Sequence, residues 1–245
     1  MTYCVGMRLK AGLIFMSDTR TNAGVDNIFT VKKMHSRDVP GERSIAIMTA
    51  GNLATTQSAV SLLDERTKAP EDRKPSILEA PSMFQIAREV GRTLKEVISA
   101  NATTGQEADG AFGATMIVGG QIAGSEPRLF LIYPEGNFIE ASDDSPFFQI
   151  GETKYGKPIL VRAQHPDMSF EEAVKLLMVS FDSTIKSNIS VGLPLDYITY
   201  ATDSLTIGHA ARVEADDPYY QTVSNGWGEA LSLAFDQLPD FEFGG

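Results

Sequence analysis

The residue best suited to chemistry is the second one in the chain. Thr2 follows Met1 directly and begins the alternating apolar stretch "TYCVGMRL". A threonine with a free N-terminus combines a hydroxyl nucleophile with an α-amine of unperturbed pKa about 7.7 to 8.0, so it carries its own general base. This chemistry requires removal of Met1, because the nitrogen of Thr2 is otherwise an amide. We expect that removal, since threonine is small enough at the second position.

Other nucleophile and ligand motifs are missing from the sequence. No G-x-S-x-G elbow of a serine hydrolase occurs. The histidines His35, His165 and His209 are scattered, and none has the spacing of zinc ligands. No glycine fingerprint for a nucleotide follows the first strand-like segment. The sequence therefore predicts no metal and no cofactor, and Thr2 is the candidate nucleophile.

Composition narrows the choice of partners and compartment. The net charge of −11 disfavours nucleic acid and anionic membrane, because phosphate groups are bound by clustered Lys and Arg. The single cysteine, Cys4, has no partner for an internal disulfide, which favours a reducing compartment. No apolar run reaches the roughly 18 residues of a spanning helix, and no secretory signal pattern is present. We therefore predict a cytoplasmic protein.

The periodicity of apolar residues predicts strands and helices in alternating blocks. The expected strands are 2–9, 11–17, 28–34, 44–50, "FGATMIVGGQ", "PRLFLIYPEG", "NFIEASD" and 196–215. The expected helices are 52–66, 82–100, 152–163 and 169–187. Ser169 and Glu172 form a capping box at the start of the last of these helices. The final "DQLPDFEFGG", from about residue 236, is expected to be a loose tail.

The order of these blocks predicts the fold class. Hairpins in two groups with helices between them favour an α+β protein, because each sheet must bury one face on the other sheet and one on helices. A doubly wound α/β fold would instead require strictly alternating βαβ units. We expect a four-layer αββα sandwich made by one domain, residues 1–245, since a single core can grow to roughly 250 residues.

Several short motifs, taken in order, resemble a known family. "TYCVGMRLKAGLIFMSDTRTNAG", "VKKM" and "MTAGNLATTQ" contain a Thr, an acidic residue followed two positions later by Arg, a Lys and an Ala-Gly pair. This arrangement resembles the opening of a proteasome-type β subunit. "DTRTNAGVDNI", "TAGNLATTQ", "GETKYGKPIL" and "GLPLD" are similar to the bacterial ancestral β-subunit family, Anbu. The resemblance covers nearly the whole chain and implies an N-terminal nucleophile (Ntn) hydrolase fold.

The resemblance implies two charged catalytic residues near Thr2. In the family, a lysine that faces the nucleophile lowers the pKa of the threonine hydroxyl, and an acidic residue holds that lysine charged. By pattern these residues are Lys33 and Asp18. Adjacent strand residues point to opposite faces, so only one of Lys32 and Lys33 faces the site. Lys33 is the better match because it precedes an apolar residue, as in the family.

Four further positions carry roles implied by the resemblance. Arg20 is expected to support a turn by bidentate hydrogen bonds, with an exposed ion pair as the alternative. Gly51 opens a helix, and its N–H is carried over as the oxyanion donor. Asp196 and Thr199, in the D-x-x-[ST] spacing of "LDYIT", are expected to support the amine and relay protons.

Glu152 departs from the family pattern. Proteasome subunits usually have a serine between two glycines where this chain has "IGETKYG". A carboxylate near the amine would raise the pKa of that amine and weaken it as a base, or Glu152 could itself accept the proton. The alternative is a structural role, because a helix N-terminus favours an acidic residue.

The resemblance also implies a pocket of mixed polarity beside the nucleophile. We expect it to be lined by Thr21, Val31, His35, Thr49 and Leu53. A peptide would bind there as an added strand, through main-chain hydrogen bonds.

Two functions follow as expectations. The first is a threonine-type peptidase or amidase that acts through an acyl-threonine intermediate. The alternative is a non-catalytic scaffold or peptide-binding assembly, which retention of Met1 and the presence of Glu152 would favour. In either case the resemblance implies a homo-oligomer, either a closed ring or an open helical assembly. The substrate and any unfoldase or other accessory partner stay open.

Overall fold

Two five-stranded antiparallel sheets form the centre of the protein. The structure is a computed structural model, and it describes residues 2–22, 28–68, 76–101 and 112–244. The strands are β1 (Tyr3–Leu9), β2 (Gly12–Asp18), β3 (Arg20–Asn22), β4 (Ile28–Thr30), β5 (Met34–Val39), β6 (Arg43–Gly51), β7 (Ala114–Ile122), β8 (Arg128–Ile132), β9 (Phe138–Glu140), β10 (Phe147–Gly151), β11 (Leu195–Ala201) and β12 (Ala210–Val213). The helices are α1 (Leu53–Lys68), α2 (Met83–Asn101), α3 (Lys157–Ala163), α4 (Phe170–Ser187) and α5 (Pro218–Asp236).

The strand order places the N-terminal strand inside the first sheet. That sheet has the order β10-β1-β2-β11-β12, and the second has the order β5-β6-β7-β8-β9. A separate two-stranded ribbon, β3-β4, leads from the first sheet to the second. In the first sheet Cys4 is paired with Ser17 of β2 and Ile150 of β10. Thr2 directly precedes β1. It therefore lies at the end of the sheet where β2 and β10, the two neighbours of β1, also end.

Three hydrophobic cores separate the four layers of helices and sheets. Alternate residues of β1 point to opposite faces, so Tyr3 and Val5 pack with Leu177 and Phe181 of α4, whereas Cys4 packs between the sheets. The outer face of the second sheet packs on α1 and α2 in the same way. Each sheet thus buries one face on the other sheet and one on helices, and the expected αββα sandwich is confirmed.

Some sequence-based boundaries were wrong. The strand expected over 28–34 is divided, because 31–33 leave the ribbon and the backbone N–H of Val31 donates to Thr19 O at 2.8 Å. The helix expected from 152 begins at Lys157, with Gly156 as its N-cap. The elements β3, β10 and α5 were not predicted, and β5 extends to Val39 although the expected strand ended at residue 34. Gly226 and Gly228 lie in the middle of α5 and have low helix propensity, and only Tyr220 and Ser224 of this helix are buried.

No helix in the described parts of the chain combines the length and apolar character needed to cross a membrane.

Candidate active site

A cleft at one edge of the sandwich contains the predicted nucleophile. Its volume is about 820 Å³, and it is lined by Thr2, Lys33 and Gly51. All of the positions expected to form a substrate pocket line the same cleft, namely Thr21, Val31, His35, Thr49 and Leu53. The structure therefore brings together residues from the N-terminus, the ribbon, β5, β6 and α1. Met1, on whose removal the chemistry depends, is outside the described residues.

Lys33 and Asp18 form a buried ion pair at the site. Lys33 Nζ lies 2.7 Å from Asp18 Oδ1, and the two side chains are 5% and 0% exposed. Lys33 Nζ also donates to the backbone oxygen of Arg20 at 2.5 Å. Burial raises the pKa of the Asp18 carboxyl, whereas the Lys33 ammonium and the N–H groups of Tyr3 and Gly192 oppose that rise by stabilising the carboxylate. The expected proximity of the two residues is thus present in the structure.

Asp18 also fixes the strand that carries the nucleophile. It is the last residue of β2, and its Oδ1 accepts from the backbone N–H of Tyr3 at 3.0 Å. The phenol of Tyr3 is held by Ser180 Oγ at 2.8 Å and by the amide of Gln149 at 2.6 Å. Burial raises the pKa of this phenol to about 12. The residue after Thr2 is therefore anchored at both its backbone and its side chain.

Arg20 is tied to a loop rather than to a carboxylate. Its Nη1 donates to Ile189 O at 3.0 Å. Its guanidinium lies against Gly192, where a Cβ atom would overlap it. Among the described residues Arg20 forms neither the bidentate pair nor the ion pair that the sequence analysis considered. It connects β3 to the loop that also donates to Asp18.

Gly51 lies at the end of a strand and not at the start of a helix, as the sequence analysis had predicted it would. It is the last residue of β6, and α1 begins two residues later at Leu53. Asn52 caps that helix, because its Oδ1 accepts from the N–H of Thr55 at 3.0 Å. The expectation that Gly51 opens the helix is therefore wrong. Its φ of 114° and the nearby oxygen of Gly113 favour glycine there, and it still lines the cleft.

Glu152 holds the backbone of Thr2. Its N–H donates to Thr2 O at 2.7 Å, and its Oε2 accepts from Asn188 Nδ2 at 2.9 Å. The preceding Gly151 has a φ of 83°, and a Cβ there would overlap Thr2 O. The helix-dipole explanation for Glu152 is wrong, because α3 begins only at Lys157.

Asp196 and Thr199 do not lie where the sequence analysis expected them. They are on β11, which β2 separates from β1. Asp196 is paired with Arg212 through contacts of 2.7 and 2.9 Å. Thr199 Oγ1 accepts from the N–H of His209 at 3.0 Å. Residues three apart on a strand point to opposite faces, so the expectation that both support the Thr2 amine is wrong.

The sequence analysis missed the segment that contacts both Asp18 and Glu152. Asn188 and Ser190 follow α4, and both the N–H and the Oγ of Ser190 donate to Asn188 Oδ1, at 3.0 and 2.5 Å. Gly192 donates its N–H to Asp18 Oδ2 at 3.4 Å. The only sequence signal was the run "SNISVG", whose Ser, Asn and Gly are typical of a loop that bonds to itself. Such a run does not indicate which distant residues it contacts.

His35 contributes an uncharged ring to the cleft. Burial, aided by the charges of Arg37 and Lys32, lowers its pKa to about 4. Arg37 is itself bound to Asp64, with Nη2 at 2.6 Å from Oδ2. At neutral pH His35 is therefore neutral.

A four-layer αββα sandwich with a threonine at residue 2 in a cleft at one edge of the sandwich is the fold of the Ntn hydrolase class. The family model described as proteasome subunit matches residues 2–192, so the chain belongs to the proteasome subunit family. A relative in that family is the proteasome subunit beta of Haloquadratum walsbyi (strain DSM 16790 / HBSQ001). It is 23% identical over 211 residues, which are 84% of this chain and 76% of that protein.

Solved structures narrow the likeness further, to Anbu, the ancestral β subunit. Anbu from Yersinia bercovieri is 47% identical with a TM-score of 0.92, over 99% of this chain and 100% of that one. The Gly-1 mutant of Anbu from Hyphomicrobium sp. strain MC1 is 48% identical with a TM-score of 0.91, over 99% and 100%. The helical assembly of the Anbu complex from Pseudomonas aeruginosa is 45% identical with a TM-score of 0.90, over 98% of each. The resemblance drawn from the sequence is confirmed.

Proposed function

We propose that the protein is a threonine-type peptidase or amidase whose nucleophile is Thr2. The observation that carries this proposal is the buried ammonium of Lys33, held 2.7 Å from Asp18 Oδ1 in the cleft that Thr2 lines. A buried positive charge next to a hydroxyl favours the alkoxide and so lowers the hydroxyl's pKa. Membership of the proteasome subunit family supports the same chemistry.

The proposed reaction uses the two functional groups of one residue. Thr2 Oγ attacks the substrate carbonyl while its proton passes to the α-amine of Thr2. The backbone N–H of Gly51 is the proposed donor to the oxyanion, because Gly51 lines the cleft beside Thr2. The resulting ammonium returns the proton to the leaving amine, which leaves an ester on Oγ. Water then cleaves the ester with the amine as base, and Oγ–H is restored.

The loop at 188–192 is proposed to hold this geometry. It donates to Asp18 through Gly192 and to Glu152 through Asn188, and Glu152 in turn holds Thr2 O. Both carboxylates near the nucleophile are thus bound to one segment. Asp196 and Thr199 have no part in this mechanism.

The deciding experiment is the intact mass of the protein with and without a peptidyl epoxyketone, followed by peptide mapping. The reagent forms a ring with both the hydroxyl and the amine of an N-terminal threonine, so it requires a processed and active Thr2. Loss of one methionine mass and one adduct on Thr2 are expected for the wild type, and no adduct is expected for the control variant Thr2→Ala. A processed protein that forms no adduct would contradict the proposal and favour the scaffold function.

We also propose that the protein assembles into a homo-oligomer. The similar Anbu complex of Pseudomonas aeruginosa is a helical assembly. In this chain the second half of α5 and the residues after it expose large apolar side chains, which is typical of an interface. These are Leu231, Leu233, Phe235, Leu238, Phe241 and Phe243. Light scattering of the wild type and of the double variant Leu233→Gln, Phe235→Gln tests this, and a monomeric wild type would contradict it.

A further inference from the structure

Lys32 places an unpaired positive charge on the wall of the cleft. Lys32 lines the same cleft as Thr21 and His35 and is exposed. The expectation that only one of Lys32 and Lys33 faces the site is wrong, because residues 31–33 lie outside the strands and the alternation of a strand does not apply to them. The charge of Lys33, the other lysine of the cleft, is already paired with Asp18. Among the described residues no carboxylate lies within ion-pair distance of Lys32. Lys32 is therefore available to a ligand.

No negative charge among the described residues offsets Lys32 inside the cleft. The described lining contains neither Asp nor Glu, and its polar groups are neutral hydroxyls and amides such as Thr49, Thr56, Gln57 and Ser61. These groups can donate hydrogen bonds to an anion without competing for Lys32. The cleft is thus locally positive in a chain with a net charge of −11, so its polarity is opposite to that of the whole molecule.

His35 lies close enough to Lys32 for that charge to act on it, although burial is the main cause of the lowered pKa of His35. The positive charges of Lys32 and Arg37 both lower the pKa of that histidine. The nearest opposing carboxylate, Asp64, is held by Arg37 through both of its oxygens. An anion entering the cleft would consequently meet Lys32 first and would encounter no fixed carboxylate on the described wall.

We infer that Lys32 selects substrates with an acidic side chain, Asp or Glu, on the residue whose carbonyl Thr2 attacks. The inference rests on the proposed function, because it names the substrate class of the same cleft. Lysine is a flexible point charge with three donors and no fixed fork. The preference is accordingly for negative charge rather than for one carboxylate geometry, and Asp and Glu substrates are both accepted.

The expected size of this preference is modest and depends on salt. An ammonium at a partly exposed wall is screened, so its attraction for a carboxylate changes rates by a factor of about three to ten. The Debye length falls from about 10 Å at 0.1 M salt to about 3 Å at 1 M. The preference for Glu over Gln therefore weakens as salt is raised, whereas a preference based on shape would not.

The test uses three peptidyl epoxyketones that differ only in the side chain next to the reactive group, which is Glu, Gln or Lys. Rates of Thr2 adduct formation are compared for the wild type and for Lys32→Glu. Lys175→Glu is the matched control, because Lys175 is an exposed lysine of α4 outside the cleft. We expect the order Glu, Gln, Lys for the wild type and for the control. Lys32→Glu should reverse this order.

The outcomes separate the inference from the proposed function. Equal rates for all three probes, with adducts on Thr2, would overturn the inference and leave the function intact. If no probe forms an adduct, the proposed function fails, and binding of the matched peptide amides ending in Glu or Gln, measured by calorimetry, tests Lys32 instead. Tighter binding of the Glu peptide that is lost in Lys32→Glu would support the inference. Equal or absent binding would overturn it.

Discussion

Asn188 Nδ2 lies 2.9 Å from Glu152 Oε2, and this contact joins two segments that are 36 positions apart in the chain. Asn188 is the C-cap residue of α4 and directly follows its last residue, Ser187. Glu152 follows β10, and its N–H holds the carbonyl oxygen of Thr2 at 2.7 Å. The position of the nucleophile's backbone is therefore linked to the end of a helix in the outer layer.

Replacement of Glu152 by Gln should change the pH dependence of the Thr2 amine. A nearby carboxylate stabilises the ammonium and raises its pKa, so removal of the negative charge lowers that pKa. Because the reaction needs the free amine, the rate of adduct formation in Glu152→Gln should reach half its maximum at a lower pH, by up to about one unit. The measurement is the epoxyketone rate between pH 5 and pH 9.

The amide of Gln keeps an oxygen for Asn188, so the loop should stay in place. Glu126→Gln, at an exposed position between β7 and β8, is the matched control for the loss of one negative charge. Identical midpoints for Glu152→Gln, the control and the wild type would mean that the Glu152 charge does not act on the amine.

Removal of the Lys33 charge should destabilise the fold as well as abolish adduct formation. Lys33→Met leaves Asp18, which is 0% exposed, without its cation. An uncompensated buried charge costs about 3 to 5 kcal/mol of unfolding free energy. The loss should be greater at pH 8 than at pH 4, because protonation of Asp18 at low pH removes the charge. Urea unfolding at the two pH values measures this.

The double variant Asp18→Asn, Lys33→Met separates charge from packing. It removes both charges and keeps the shapes of the side chains, so it should recover much of the unfolding free energy but none of the reaction with the probe. A double variant as unstable as Lys33→Met would show that the buried charge of Asp18 is not the cause.

The sequence led to three of the residues that line or support the cleft by two different routes. The chemistry of an N-terminal threonine indicated Thr2, whereas the resemblance to proteasome β subunits indicated Asp18 and Lys33. In the structure Asp18 ends β2 and Lys33 directly precedes β5. Asp196 and Thr199 illustrate the limit. Spacing of three residues brings side chains together on a helix but separates them on a strand, and the residues lie on β11.

The missed contacts depend on the tertiary fold. Asn188 meets Glu152 only because α4 packs on the sheet that contains β10, and no local pattern records that contact. α5 was missed for a different reason. Its exposed apolar side chains, such as Leu233 and Phe235, do not form a core stripe within the chain. The glycines Gly226 and Gly228 in its middle also lower its helix propensity, so the sequence did not indicate a helix there.

His35 should make stability depend on pH in the acidic range. Its folded pKa of about 4 lies below the unfolded value of about 6.5, so the unfolded state binds the proton more strongly. The contribution of His35 to stability is complete above about pH 6.5 and is lost as the pH falls through this range toward 4. His35→Gln removes this linkage, and after allowance for solvent screening the effect is about 1 kcal/mol.

Unfolding free energies of the wild type and His35→Gln at pH 7.5 and pH 4.5 measure the effect. The decrease between the two pH values should be smaller in the variant. An equal decrease in both proteins would mean that other groups account for the acid dependence.

Gly151 and Gly124 provide a matched pair for the role of backbone space at the nucleophile. Both have positive φ, 83° and 77°, so an added side chain strains each backbone by a similar amount, about 1 kcal/mol. They differ in surroundings: a Cβ at Gly124 meets nothing within 4 Å, whereas one at Gly151 overlaps Thr2 O. Gly151→Ala should therefore displace Thr2 and slow adduct formation at least tenfold, roughly the effect of a 1.4 kcal/mol rise in the barrier. Gly124→Ala should lose a similar amount of unfolding free energy through backbone strain, but it should keep the wild-type rate of adduct formation. Equal rates for the two variants would mean that the backbone contact between Gly151 and Thr2 does not position Thr2.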